Sequence, residues 1–113
     1  MDQLEHYQTL IKKVLTEYHN WVSGSSNLRE ESCLIFDDNR QHYIWMFLGW
    51  VNQKKMDRIQ VYIRIKNEKI YIEEDWTEEG IATELLNLGV PKADIVLAFY
   101  PPEDRKFTEF AII

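Results

Sequence analysis

The stretch from Arg58 to Asp75 constrains the fold of this chain more than any other. Ile59, Val61, Ile63 and Ile65 alternate with Gln60, Tyr62, Arg64 and Lys66, which is the period of a strand with one face in a core and one face away from it. Asn67-Glu68 then reads as a tight hairpin loop, because Asn tolerates positive φ. Lys69 to Asp75 returns with Ile70 and Ile72 on the core side. A two-residue loop sets Arg64 opposite Tyr71, Tyr62 opposite Glu73, Ile65 opposite Ile70 and Ile63 opposite Ile72, and in that register every Ile stays on one side.

The flanking segments supply more strands and a covering layer. Residues 2 to about 20 read as a helix. Leu4, Tyr7, Ile11, Val14, Leu15 and Tyr18 recur at spacings of three and four, and Asp2 and Glu5 stand at capping-box spacing. The run Ser23-Gly24-Ser25-Ser26-Asn27 breaks the chain into a turn. Glu31 to Phe36 is a short strand, and Asp37-Asp38-Asn39-Arg40 is a turn of short polar side chains. Gln41 to Trp50 is a longer strand, apolar on both faces, with Tyr43, Trp45 and Phe47 on one side and Ile44, Met46 and Leu48 on the other. A strand covered on both sides is central, or has one face in an oligomer interface. Asn52 to Lys55 turns the chain into the hairpin.

Beyond the hairpin, Thr77 is the expected helix N-cap, with Glu78 and Glu79 in the first turn where the helix dipole favours them. That helix runs to about Leu88 and buries Ile81, Leu85 and Leu88, and Gly89 stops it with Pro91 two residues on. Lys92-Ala93-Asp94 is one short turn. Ile95 to Phe99 is either a fifth strand or a packed loop, and Phe107 to Ile113 is either a strand or a packed tail. The expected class is α+β: an N-terminal helix, a four-stranded antiparallel meander, a second helix and a short C-terminal segment. Both helices cover one face of the sheet in two layers. At 113 residues a single domain, 1–113, is expected, long enough to bury a core without disulfide or metal staples.

Composition excludes several kinds of protein. Apolar content of 45% and charged content of 28% fit a globular chain rather than a disordered one. Net charge is −6 and the basic residues are scattered, so direct nucleic-acid binding is disfavoured and a basic protein partner is favoured. One cysteine, Cys33, allows no intrachain disulfide and fits a reducing cytoplasm. In an apolar stretch with no basic neighbour in sequence, it reads as a small buried side chain rather than a reactive thiol. No apolar run has the length of a membrane span, and the acidic N-terminus is neither a signal nor a transit peptide.

The residues disclose no catalytic apparatus. Four glycines, at 24, 49, 80 and 89, form no phosphate cradle, so no cofactor is implied. His6, His19 and His42 lack Cys or His at ligand spacing and read as ordinary surface or half-buried side chains. Metal-ion phosphodiester hydrolysis needs converging carboxylates. Glu73-Glu74-Asp75 and Asp37-Asp38 are acidic strand ends, and a solvated rim is the simpler reading for both. Ser-His-Asp catalysis has no nucleophile elbow. Two surface features remain. Tyr62, Arg64, Tyr71 and Glu73 on the outward side of the hairpin are ordinary cross-strand pairs, a protein-interface core, or a stacking platform for single-stranded nucleic acid. Pro101, Pro102, Arg105 and Lys106 lie in a stiff turn that packs Phe107 and Phe110 on the domain, or in a docking loop.

Several short runs, in order and spacing, resemble the XisI family of fdxN-element excision controlling factors, encoded mainly in filamentous cyanobacteria. They are Asp2-Gln3-Leu4-Glu5-His6-Tyr7, Leu34-Ile35-Phe36-Asp37 with His42-Tyr43, Leu48-Gly49-Trp50, Gly80-Ile81-Ala82, Gly89-Val90-Pro91-Lys92, Asp94-Ile95-Val96-Leu97 and Phe107-Thr108-Glu109-Phe110-Ala111. Tyr100 stands where the family often has His, and Ala98 where it often has Gly. The resemblance implies a XisI-like fold and a role in controlling programmed excision of a DNA element during heterocyst differentiation, a site-specific recombination whose cutting belongs to a separate recombinase. It also implies a XisH-like protein as partner. The expected role is a non-enzymatic cytoplasmic accessory protein that binds this partner through Tyr62, Arg64, Tyr71 and Glu73 or through Pro101, Pro102, Arg105 and Lys106. The alternative is a direct DNA-binding regulator of a recombination complex. A homo-oligomer, a dimer, is expected as well, because Tyr43, Trp45 and Phe47 need cover and only two helices are at hand.

Overall fold

The computed structural model describes residues 2–24 and 30–113. Its elements are α1 (Gln3–Ser23), β1 (Glu30–Asp37), β2 (His42–Val51), β3 (Lys54–Lys66), β4 (Lys69–Asp75), α2 (Ile81–Asn87) and β5 (Ile95–Leu97), with short 3₁₀ turns at Lys92–Asp94 and Pro102–Phe107. The class is the expected α+β one. The sheet order is β1-β2-β3-β4-β5. The first four strands form the antiparallel meander, and β5 adds a fifth, parallel to β4, pairing Ile70 with Ile95 and Ile72 with Leu97. The segment Ile95 to Phe99 is thus a strand for three residues. Beyond the second 3₁₀ turn the tail touches the sheet at one bridge, Ala111 to Val96. The polar turn expected at 23–27 begins where α1 ends at Ser23, and its positions 25–27 lie outside the described residues.

Hydrophobic periodicity places α1. Asp2 caps it, accepting a hydrogen bond from the Glu5 amide at 2.8 Å. Tyr7, Ile11, Val14 and Leu15 are buried in one core with Tyr43, Trp45, Val61, Ile63, Ile72, Ile81 and Leu85. Gln8 donates to the Asp38 carbonyl at 3.1 Å and Lys12 pairs with the Asp38 carboxylate at 2.8 Å, so α1 is tied to the β1–β2 turn.

α2 begins three residues later than the Thr77 cap implies, and Asp75 is the reason. One oxygen of its carboxylate accepts from the Thr77 amide at 2.9 Å and the Thr77 hydroxyl at 2.6 Å, and the other accepts from the Ile81 amide at 2.7 Å. Thr77 therefore braces the loop, accepting from the Gly80 amide at 3.2 Å, while Gly80 enters the helix at φ +91°. Gly89 ends this region at φ +97° as expected, but Leu88 falls beyond the helix and stays partly exposed.

Two β-bulges revise the expected register. Arg64–Tyr71, Ile65–Ile70 and Ile63–Ile72 pair as anticipated, but Tyr62 faces Glu74, with Glu73 the extra residue. On the other side of β3, Trp45 faces Val61 and Met46 faces Ile59, leaving Gln60 over. The second bulge turns Ile59 out of the core and into Met46's row, on the opposite face from Val61, Ile63 and Ile65. The β2–β3 loop is shorter than expected. Asn52 and Gln53 alone have positive φ, at 51° and 65°, and Lys54 and Lys55 already belong to the strand.

Candidate functional site

Each sheet face has its own fate. α1 and α2 close the inner one. Tyr43 and Trp45 are buried there, Tyr18 of α1 stacks on Trp45 at 5.3 Å, and Trp45 donates its indole N–H to Ser32 at 2.8 Å. Phe47 is buried under the Arg58 guanidinium, 4.5 Å from the ring centre. These three aromatics have their cover within the chain, so they give no reason for a second copy.

Among the described residues, none forms such a layer over the outer face of β1–β3. The ladder sets it out in rows: Glu31, Leu48 and Asp57; Cys33, Met46 and Ile59; Ile35, Ile44 and Tyr62; Asp37, His42 and Arg64. The two middle rows carry no formal charge. Ile35 is 49% exposed, and Trp50 and Trp76 stand exposed at its margins. Cys33 is half-buried here rather than in the core, and burial followed by the Glu31 carboxylate pushes its thiol pKa up.

The four hairpin residues singled out above do not make one open patch. Tyr71 is 4% exposed, lying under Arg64 and Lys66, whose cationic groups are each 5.7 Å from its ring centre. Arg64 donates Nε to Glu73 at 2.8 Å. Tyr62 shares a 2.8 Å hydrogen bond with His42 Nδ1. A buried Tyr71 cannot act as a stacking platform, and no sequence signal marked it as covered, because alternation alone reports side and not depth.

The C-terminal loop is built differently. Arg105 donates Nε to the Tyr100 carbonyl at 3.1 Å and a terminal amino group to the Ala98 carbonyl at 3.4 Å. It pins the turn rather than offering itself to solvent. Held in this way, the loop exposes Pro101, Pro102 and Lys106 together with Phe99, Tyr100 and Phe107, and Phe107 is 79% exposed. Phe110 packs against the core as the tail reading anticipated, but Phe107 does not.

The carboxylates weighed for catalysis are committed to structure. Asp75 braces α2, Glu73 pairs with Arg64, Asp37 with Arg40 at 3.2 Å and Asp38 with Lys12. Glu73 and Asp75 also belong to opposite sheet faces. Among the described residues no group of three or more His, Cys, Asp or Glu gathers as a metal site, and no helix is long and apolar enough to cross a membrane. A groove of about 320 Å³ lies between the helices, lined by Val14, Glu17, Tyr18, Trp21 and Glu84. Burial, then the neighbouring Glu84, raises the Tyr18 hydroxyl pKa.

Fold and surfaces together define a small α+β protein with two helices on one face of a five-stranded sheet. The family model described as XisI protein matches residues 1–112. The solved structure of the fdxN element excision controlling factor XisI from Anabaena variabilis ATCC 29413 is 39% identical, superposes with a TM-score of 0.87, and covers 99% of this chain and 100% of its own. A XisI-like protein from the same organism is 36% identical with a TM-score of 0.89, covering 97% and 99%. No curated protein matches. The chain belongs to the XisI family.

Proposed function

We propose that this protein is a non-enzymatic accessory factor of the excision-controlling kind, acting in the cytoplasm by binding a XisH-like protein partner. The role in programmed excision of an fdxN-type element during heterocyst differentiation rests on its likeness to a relative described as an excision controlling factor. The observation that carries the binding mode is the C-terminal loop. Arg105 fixes its backbone, so Phe99, Tyr100, Pro101, Pro102 and Phe107 are presented with little ordering entropy left to lose on contact. Rigid exposed aromatics beside prolines are the composition of an interface anchor. The net charge of −6 favours approach by a basic surface.

The test is co-expression with a XisH-like protein and capture through a tag on either one. The expected result is a stable complex that is lost in Phe107→Asp and weakened in Arg105→Ala, which frees the loop without removing the aromatics. Capture that fails with the native chain overturns the reading. If the isolated protein is then retained on DNA in a steeply salt-dependent way, it is a direct regulator of the DNA complex instead.

A further inference from the structure

We propose that the outer face of β1–β3 pairs this chain with a second copy, face to face about a two-fold axis running across the strands at the level of residue 45. The row order makes the face self-complementary about that level. The Cys33–Met46–Ile59 row and the Ile35–Ile44–Tyr62 row lie one step to either side. Rotation about the axis lays one on the other, so Met46 meets Ile44 and Ile59 meets Tyr62. The next rows outward are Glu31–Leu48–Asp57 and Asp37–His42–Arg64. The same rotation sets Asp57 of each copy opposite Arg64 of the other, which Asp57 would share with Glu73, the 2.8 Å partner of Arg64 within its own chain. Glu31 comes opposite Asp37, whose charge Arg40 already offsets through its 3.2 Å pair. A protein of net charge −6 repels its own copies. It associates most readily where the facing surface is neutral at its centre, as the two middle rows are, and where an opposite-sign exchange such as Asp57 with Arg64 offsets the like-signed one between Glu31 and Asp37.

The extent is adequate. Three strands spaced about 4.8 Å apart, with ten residues of β2 at about 3.3 Å each, give on the order of 500 Å² of flat face. Trp50 and Trp76 at its margins extend it toward the ~800 Å² that each partner brings to a standard interface. Sheets packed in this way cross at about 30°, an offset that the long Arg64 side chain can span. The pairing is independent of the C-terminal loop, so either surface can fail without the other.

Light scattering and sedimentation of the isolated protein test it. The expected mass is twice the 13.6 kDa chain mass at micromolar concentrations. It should fall to a single chain in Ile35→Glu and in Met46→Glu, with circular dichroism and thermal transition retained. Asp57→Lys should raise the dimer dissociation constant by roughly tenfold or more, because the two-fold axis turns both Asp57–Arg64 contacts into like-charge ones. Phe107→Asp should leave the mass unchanged. A monomeric native protein overturns the proposal. So does a dimer that survives Met46→Glu, since that result places the contact elsewhere, such as the free edge of β1. If Met46→Glu fails to fold, Ile35→Glu decides alone, because that side chain is already half in solvent and its replacement disturbs no core packing.

Discussion

The two faces of the sheet are made by the same strands, and alternate residues of β2 supply both. On the inner face Tyr43, Trp45 and Phe47 are closed in by α1, α2 and Arg58; on the outer face Ile44, Met46 and Leu48 lie half open, with no layer above them among the described residues. The side chains are about equally apolar, so the difference is one of supply. The described residues hold one long α-helix and one short one, and both are drawn to the side where Ile63, Ile72, Ile81 and Leu85 also converge. Burial on that side stabilises the monomer. Apolar area left on the other contributes nothing to stability until something covers it.

The contrast breaks if the faces respond alike to truncation. Ile63→Ala removes a wholly buried side chain and should cost about 2–5 kcal/mol in chemical denaturation, whereas Ile35→Ala on the outer face should change the stability of the monomer by less than about 0.5 kcal/mol. Comparable losses at both positions would mean that the outer face is part of the monomer's core. Next in size is Asp75→Ala. It removes acceptors for the Thr77 amide and hydroxyl and the Ile81 amide at the entry to α2, and should cost about 1–2 kcal/mol, read as a lowered thermal midpoint. Arg64→Ala on the outer face breaks a partly exposed ion pair with Glu73 and should cost under about 1 kcal/mol. A larger loss would show that its position over Tyr71 outweighs the ion pair.

Much of this architecture is legible in the residues. The period-2 alternation from Arg58 onward sets β3 and β4, the period-3.6 stripe sets α1, and both signals are strong because each has one face in the core. Errors arise where a local competitor wins. Thr77 has the right chemistry for a cap, but Asp75, two residues earlier, reaches farther and captures the Ile81 amide. Ile59 continues the alternation on paper, but the bulge at Gln60 shifts the phase by one and turns it outward. Surfaces are less legible than elements. Tyr71 and Phe107 are both aromatic and both flanked by cations, yet one is buried under Arg64 and Lys66 and the other is the most exposed Phe in the chain. Depth depends on what the distant chain lays over a position, and periodicity carries no term for that. Arg105 illustrates the same limit, since its role follows from two carbonyls that only the folded turn brings within reach.

The smallest effect concerns the acid side of stability and sharpens the account of how the inner face is sealed. Asp38 joins the layers, accepting from Lys12 of α1 and from the buried Tyr43 hydroxyl, each at 2.8 Å. The Lys12 bond first, and the Tyr43 bond second, hold its carboxyl below the usual aspartate range. Asp37 is lowered too, mainly by the Arg40 amide. A carboxyl with a depressed folded pKa stabilises the native state above its unfolded value, near 3.9, and that contribution is lost as pH falls through the folded value. The thermal midpoint should therefore hold steady from neutrality to about pH 5 as far as these groups decide it, and decline below that. Asp38→Asn should flatten the decline while costing under about 1 kcal/mol at neutral pH, because the pair with Lys12 is half exposed and screened. A decline as steep in Asp38→Asn as in the native protein would move the acid sensitivity to other carboxylates.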